Sequence, residues 1–314
     1  MSNLIFSLNA TMPVFLVMML GYIFRKTGFI SESFASSMNS FVFKIALPVN
    51  LFVQLYEVDF WKLWDTSYVV YCFAVSLLSA LIAFAFSFLV RDKDSRGEFV
   101  QGAYRSSVSL LGMTYMENIY NDGAMGTLMM LGSVPLYNVL AVLVLSLMKP
   151  GGGTVDRARL RGAFIGILKN PIIWGILLGF GWSLSGLHMP EMLSRTAGYI
   201  GRMASPMGLI ALGASLDFAD IRRKIGPILG ASTLRLLVFT ALFAPLALAL
   251  GYRGQKLAAA IIMLGSAGTV AGYVMAKSMG HKGTVSSGTV MLTTVLSPFT
   301  LTLWIWLFRT LGDL

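Results

Sequence analysis

The chain is built from ten apolar runs, each close to the length of a membrane-crossing helix. They fall near 4–24, 35–56, 66–90, 99–117, 124–148, 163–185, 192–216, 226–250, 256–276 and 286–312 of its 314 residues. A helical span needs about 20 apolar residues, so ten runs account for the chain and leave no room for a soluble domain. With 56% hydrophobic and 12% charged residues, the composition is far from the ~25% charged average of soluble domains. The expected fold class is an all-α integral membrane protein with ten transmembrane helices embedded in a lipid bilayer. The first run starts almost at Met1 and reaches Arg25 and Lys26 without a small-residue cleavage signature, so it reads as a retained span. The single cysteine, Cys72, lies inside the third run. It excludes an intrachain disulfide and a cysteine metal cluster, and reads as a small buried hydrophobe.

A net charge of +10 does not point to nucleic acid here, because cytoplasmic loops of membrane proteins collect lysine and arginine. Sorted by alternate loops, fourteen basic residues fall on one side, from Arg25 and Lys26 to Lys277 and Lys282, and five on the other. The fourteen-residue side is expected to be cytoplasmic in a multi-pass protein of the cell's inner (plasma) membrane, with both termini extracytoplasmic.

The longest expected cytoplasmic connection, 149–162, joins Pro150-Gly151-Gly152-Gly153 to a basic run. Glycine-rich composition of this kind makes a flexible linker. It separates two groups of five spans, 1–148 and 163–314, and a repeat runs across it. At an offset of 158 residues Pro13 meets Pro171, Gly21 meets Gly179, Lys44 meets Arg202, Pro48 meets Pro206, Asp59 meets Asp217 and Phe60 meets Phe218. The register then slips by one, pairing Ser109 with Ser266. Since five is odd, the second copy enters the membrane from the opposite side. Inverted repeats of this type build many secondary transporters, whose sites lie where discontinuous helices meet at the midplane.

Two paired stretches look discontinuous. Arg105 to Tyr115 carries an arginine, four hydroxyls and a glycine before its final tyrosine, and Gly265 to Tyr273 has the same character. Non-helical backbone at membrane depth is tolerated only where protein covers it or water reaches it. Close helix packing also favours glycine and serine, but the paired occurrence favours interrupted, crossing helices four and nine. Ser107, Ser109, Thr114, Ser266, Gly268 and Thr269 are the candidate substrate-binding residues from these stretches.

A charge at membrane depth is a functional hypothesis in itself. Lys44 and Arg202 lie mid-span, each four residues before a proline, and Lys44 is read as holding an anion at one wall of the cavity, or as bonding carbonyls freed by the proline. Arg105 and Arg235 can each take a carboxylate through the guanidinium fork, or be neutralised internally, with Glu117 and Asp122 the nearest acids. Asn50, Gln54 and Asn138 are amides that need partners at that depth, and Asn50 and Asn138 join the candidate site. For proton coupling Glu117 is the only acid expected near the cavity, Glu117 and Arg235 being the candidate coupling or charge-partner residues, while His188 and His281 fall in loops and read as solvated; a potential-driven or exchange mechanism and sodium held by carbonyls of the softened helices stand as alternatives. No cofactor or metal is expected, and no nucleophile with a base, carboxylate pair or metal cluster of the kind an intramembrane enzyme needs is found.

Several of these residues give the sequence a resemblance over nearly its whole length. Leu47-Pro48, Arg105-Ser106, Pro135-Leu136-Tyr137-Asn138, Asn170-Pro171 and Tyr273-Val274-Met275-Ala276-Lys277, in this order, resemble the auxin efflux carrier family, which includes plant auxin exporters and bacterial malonate or malate transporters. The resemblance implies two inverted five-span repeats, a scaffold of spans one, two, six and seven, and a transport bundle in which spans four and nine cross at the substrate site. Homodimers occur in that family. The chain departs from its pattern at the crossing, where Ser107 stands for an asparagine, and Thr114 and Gly268 for prolines. The resulting expectation is a secondary transporter of a small organic anion, a carboxylate, working by alternating access. The alternatives are a carrier of a lipid or larger amphiphile, with the 19 methionines lining an adaptable path, and a non-transporting receptor or scaffold.

Overall fold

The computed structural model describes residues 2–56, 65–120, 124–151 and 157–314. Asp59, Phe60 and Asp122, singled out above, lie outside the described residues. The described chain is helical, and its only β-pairing is an isolated antiparallel bridge between Ser106 and Gly268. Among the described residues five helices are long and apolar enough to cross a membrane: Glu32–Tyr56, Thr66–Ser87, Met125–Leu147, Ile225–Ala249 and Thr284–Thr310. Shorter apolar helices, Pro171–Ser185 and Gln255–Gly265, lie between them.

In chain order, α1 is Ser2–Lys26, α2 Glu32–Phe41, α3 Leu47–Tyr56, α4 Thr66–Ser87, α5 Arg96–Tyr104, α6 Met113–Tyr120 and α7 Ala124–Leu147. They are followed by α8 Arg157–Leu168, α9 Pro171–Ser185, α10 Glu191–Arg202, α11 Ala204–Ala214, α12 Phe218–Arg223, α13 Ile225–Thr233, α14 Phe239–Ala249, α15 Gln255–Gly265, α16 Val270–Ser278 and α17 Thr284–Thr310. Local chemistry sets several ends. Asn170 caps α9, its side chain accepting from the Ile172 N–H with Pro171 as the first helical residue, the position where proline's missing donor costs nothing. Asp65 caps α4 and Asp217 caps α12 in the same way. Arg157, Arg159 and Arg161, expected in the linker, instead open α8.

The elements pack by close backbone approach. α1 lies along α11, and α3 along α9 and α10. A Cβ added at Gly21 would fall on the Ile210 backbone, and one at Gly179 would lie 2.9 Å from the Phe52 carbonyl oxygen. Gly21 and Gly179 are 158 residues apart, and so are Phe52 and Ile210. Small residues let helices approach in this way where lipid supplies no hydrophobic drive between them. Cys72 is free and buried, as expected of a small core residue.

Two predictions follow from this packing. A Cβ at Gly213 would collide with the Met18 carbonyl, whereas Gly226 has open space. Gly213→Val should therefore lower the melting temperature of the purified protein, at the ~1–3 kcal/mol scale of overpacking, and Gly226→Ala should leave it unchanged. The second concerns Asp65, at the α4 end. Its carboxyl is held below its ordinary value, first by the hydrogen bond from Lys256, 2.6 Å away, and then by the Tyr68 N–H. A depressed folded-state pKa contributes stability above the unfolded value of about 3.9 and loses it as pH falls through the depressed value. The melting temperature difference between wild type and Asp65→Asn should shrink as pH is lowered from 6 to 3.

Candidate functional site

Two helices break, and their breaks meet at the Ser106–Gly268 bridge. α5 ends at Tyr104; Arg105 is extended (φ −93°, ψ 113°), Ser106 enters the bridge, and a wide π-turn over Val108–Gly112 leads into α6. In the second half α15 ends at Gly265, Ser266 is extended (φ −74°, ψ 163°), and Thr269 caps α16 by accepting from the Ala271 N–H. The Ser107 N–H donates to the Ala267 carbonyl at 2.9 Å. The sequence explains why the helices stop here. Serine and threonine side chains offer the backbone alternatives to the helical ladder, and the Ser106 hydroxyl takes one, donating to the Met263 carbonyl at 2.8 Å. At Gly268 the N–H donates to the Thr293 hydroxyl at 2.9 Å, and an added Cβ would sit only 3.3 Å from that oxygen.

Thr114 is placed inside α6; the first break begins nine residues earlier, at Arg105. The arginine and serines mark the interruption, and the π-turn returns the chain to helix before Thr114.

Helix ends expose orphan carbonyls and a partial negative charge. Arg235 answers both. It lies on a π-turn, Leu234–Val238, with 1% of its surface exposed. Its guanidinium donates to the Tyr104 carbonyl at 2.6 Å, to the Ser266 carbonyl at 3.1 Å and to the Met263 carbonyl. One buried cation thus ties the C-terminal ends of both half-helices. Those three bonds engage its fork, and it does not line the central cavity among the described residues.

That cavity, about 60 Å³, is lined by Asn50, Arg105, Ser107, Ser109, Asn138, Gly268 and Thr269, with an apolar wall that includes Val14, Leu47, Leu51 and Leu209. Seven expected site residues therefore converge. Arg105, 4% exposed, donates to Asn138 Oδ1 at 2.7 Å and to the Met275 sulfur at 2.8 Å. Its Nε has no partner among the described residues. Asn138 is oriented by its own Nδ2, which donates to the Val134 carbonyl at 2.8 Å. Among the described lining residues no carboxylate is present, and Arg105 is the only charged group.

The other expected residues lie apart from the cavity. Ser266 is buried beside it, its carbonyl held by Arg235. Lys44 is exposed on a π-turn, Val42–Ala46, and Arg202 is exposed at the end of α10. A π-turn inserts a residue into the helical phase, so spacing from Pro48 does not predict which way Lys44 faces. Glu117 is exposed and outside the cavity lining. His188 is exposed as expected, but His281 corrects its expectation. It lies in a loop yet is 3% exposed, with Nε2 2.9 Å from the Leu145 carbonyl. The loop tucks it against α7 instead of leaving it in solvent.

The sequence reading missed Glu98. It sits one residue before the fourth apolar run, yet it is 2% exposed and accepts at 2.9 Å from both the Gly283 and Ser286 N–H groups, at the start of α17. Its signal was an acid in the first turn of a helix; its partner, a helix N-terminus far along the chain, is visible only in the fold. A second, larger cavity of about 730 Å³ opens beside Tyr22, Arg25, Lys26, Asp217, Tyr273 and Lys277.

Comparison with known proteins gives two kinds of match. A family model described as "Membrane transport protein" matches the chain twice, over residues 6–159 and 157–305. An "uncharacterized transporter" of Methanothermobacter thermautotrophicus is 27% identical over 305 residues, covering 95% of this chain and 97% of that protein. The "uncharacterized transporter YfdV" of Escherichia coli is 24% identical over 222 residues, 68% of this chain and 69% of that protein.

The Arg235 geometry yields a test. Removing it leaves three carbonyls of two helix ends without their donor, and a buried polar group that loses its partner costs about 1–3 kcal/mol. Arg235→Leu should lower the melting temperature well beyond Lys44→Leu, whose side chain is exposed.

Proposed function

Because the chain belongs to the auxin efflux carrier family of membrane transport proteins and is therefore a multi-pass membrane transporter, we propose that it moves a small organic anion, a carboxylate, by alternating access. The observation that carries the substrate class is Arg105: a buried guanidinium lining a cavity with one apolar wall and no carboxylate among its described lining. A guanidinium binds carboxylates bidentately, and the three nitrogens of this one meet a thioether, a neutral amide and, at Nε, no partner among the described residues. Ser107, Ser109, Thr269 and Asn138 supply further hydrogen-bonding groups around the same space. The α16 N-terminus, at Thr269 and Val270, borders it and adds the positive end of a helix dipole. A cavity of about 60 Å³ is far below the ~300–1,000 Å³ of drug-sized sites, which favours a small substrate over a lipid.

The proposed architecture is ten spans in two inverted repeats, 1–148 and 163–314, joined by 149–162. It is supported by the tandem family matches, which meet at 157–159, by the paired Gly21–Ile210 and Gly179–Phe52 approaches, and by paired interruptions that meet at one bridge. In this arrangement the protein lies in the inner membrane, the larger cavity beside Arg25, Lys26 and Lys277 is the cytoplasmic vestibule, and both termini are outside. The vestibule rim carries Arg25, Lys26 and Lys277 beside Glu32 and Asp217, a small net excess of positive charge. The Arg105 cavity exchanges between that vestibule and the opposite side as the bundle carrying the crossing moves against the scaffold.

A thermal-shift screen of mono- and dicarboxylates against the purified protein, followed by uptake of the best ligand into proteoliposomes, tests this reading. Arg105→Ala should lose at least about tenfold in ligand affinity, the scale of one charge-assisted hydrogen bond, and Arg105→Lys should recover part of it. A screen in which no carboxylate shifts the protein, while an amphiphile does, would replace the substrate class.

A further inference from the structure

We propose that the cavity beside Arg105 selects a short monocarboxylate with an apolar body and rejects dicarboxylates. This inference rests on the reading of the chain as a carboxylate carrier and concerns which carboxylates it takes.

The first half follows from the charges at the cavity. Among the described lining residues Arg105 is the only formally charged group, and its terminal nitrogens meet the neutral Asn138 Oδ1 and the Met275 sulfur. One bound carboxylate therefore balances the site. The other buried arginine beside the crossing, Arg235, donates to three backbone carbonyls and lies outside the described lining. Lys44 and Arg202 are exposed and outside it as well. A second carboxylate would enter without a cation to meet it. Taking an unpaired charge out of water costs more than neutral hydrogen-bonding groups return.

The α16 N-terminus does not supply the missing charge. It borders the cavity at Thr269 and Val270, but its Ala271 N–H already donates to the Thr269 hydroxyl and its Gly272 N–H to the Thr269 carbonyl. A helix end carries about half a unit charge, too little to match a full one.

The second half follows from the rest of the wall. Leu47 and Leu51 of α3, Leu209 of α11 and Val290 of α17 line the same space and are buried, with Val14 of α1 beside them. Branched aliphatic side chains offer a charge no hydrogen bond, whereas methylene and methyl groups gain by leaving water against them. The volume, about 60 Å³, limits that body to a short chain. Discrimination of this kind works by rejection: the wall that welcomes a methyl group is the same wall that leaves a second carboxylate unpaired.

Calorimetric titration of the purified full-length protein at neutral pH and constant ionic strength tests the inference. Three sets of ligands are compared: acetate, propionate and butyrate; butyrate and succinate, which have the same number of carbons; and succinamate, which has the size of succinate with one charge. Affinity should rise about threefold per methylene from acetate to butyrate. Succinate should bind at least about tenfold more weakly than butyrate, and succinamate more tightly than succinate. Leu209→Ala should flatten the gain with chain length while leaving acetate binding in place; should it not fold, the wild-type series still decides. Succinate bound as tightly as butyrate, or an affinity that does not rise along the series, overturns the proposal and leaves the carboxylate reading standing. Succinamate bound no better than succinate makes size the cause and overturns the charge argument. If neither mono- nor dicarboxylates bind, the carboxylate reading itself fails and this inference falls with it.

Discussion

In hydrocarbon an interrupted helix has no water to satisfy its loose backbone groups, so every orphaned N–H and C=O at a break needs a partner from the protein. The centre of this molecule is organised by that requirement. Arg235 supplies three donors to the carbonyls of Tyr104, Met263 and Ser266. Thr293 receives the Gly268 N–H, and Ser107 bonds Ala267 across the bridge. Prolines, which the family resemblance placed at the crossing, would remove donors and force the kink. Here hydroxyls, a glycine and one buried cation hold the same kind of break open. Once the break is held, the cavity beside Arg105 and the free N-terminal end of α16 exist as consequences of it.

Arg105 and Arg235 show how one residue type divides two tasks in one site. Both are buried, and both lie beside the crossing. Arg235 has its fork committed to backbone carbonyls, which makes it a fixed part of the frame. Arg105 meets only a neutral amide and a thioether, so its charge is available to a ligand. The difference lies in their partners rather than in their depth.

Much of this was legible in the chain. The all-helical membrane class and the two weak stretches could be read from composition and spacing alone, because apolar length and runs of small polar residues are written along the sequence. Arg105, Ser107, Ser109 and Asn138 were likewise readable, as polar groups where lipid-facing residues would be expected. Facing was not. Lys44 and Arg235 both sit on π-turns, which shift the helical phase, so one turns outward and the other reaches two distant helix ends. Glu98 was hidden because it lies just outside an apolar run, and its burial depends on α17. His281 was hidden because loop position usually means solvent, whereas here the loop packs on α7. Long-range partners of this kind leave no local periodicity to read.

The most direct test of the central claim is a structure of the protein with its best carboxylate ligand bound. The account predicts the carboxylate within hydrogen-bonding distance of Arg105, between the Ser107 and Thr269 segments, with Arg235 still on its three carbonyls. Ligand density elsewhere, or a carboxylate bound by Lys44 or Arg202 with the Arg105 cavity closed, would contradict it.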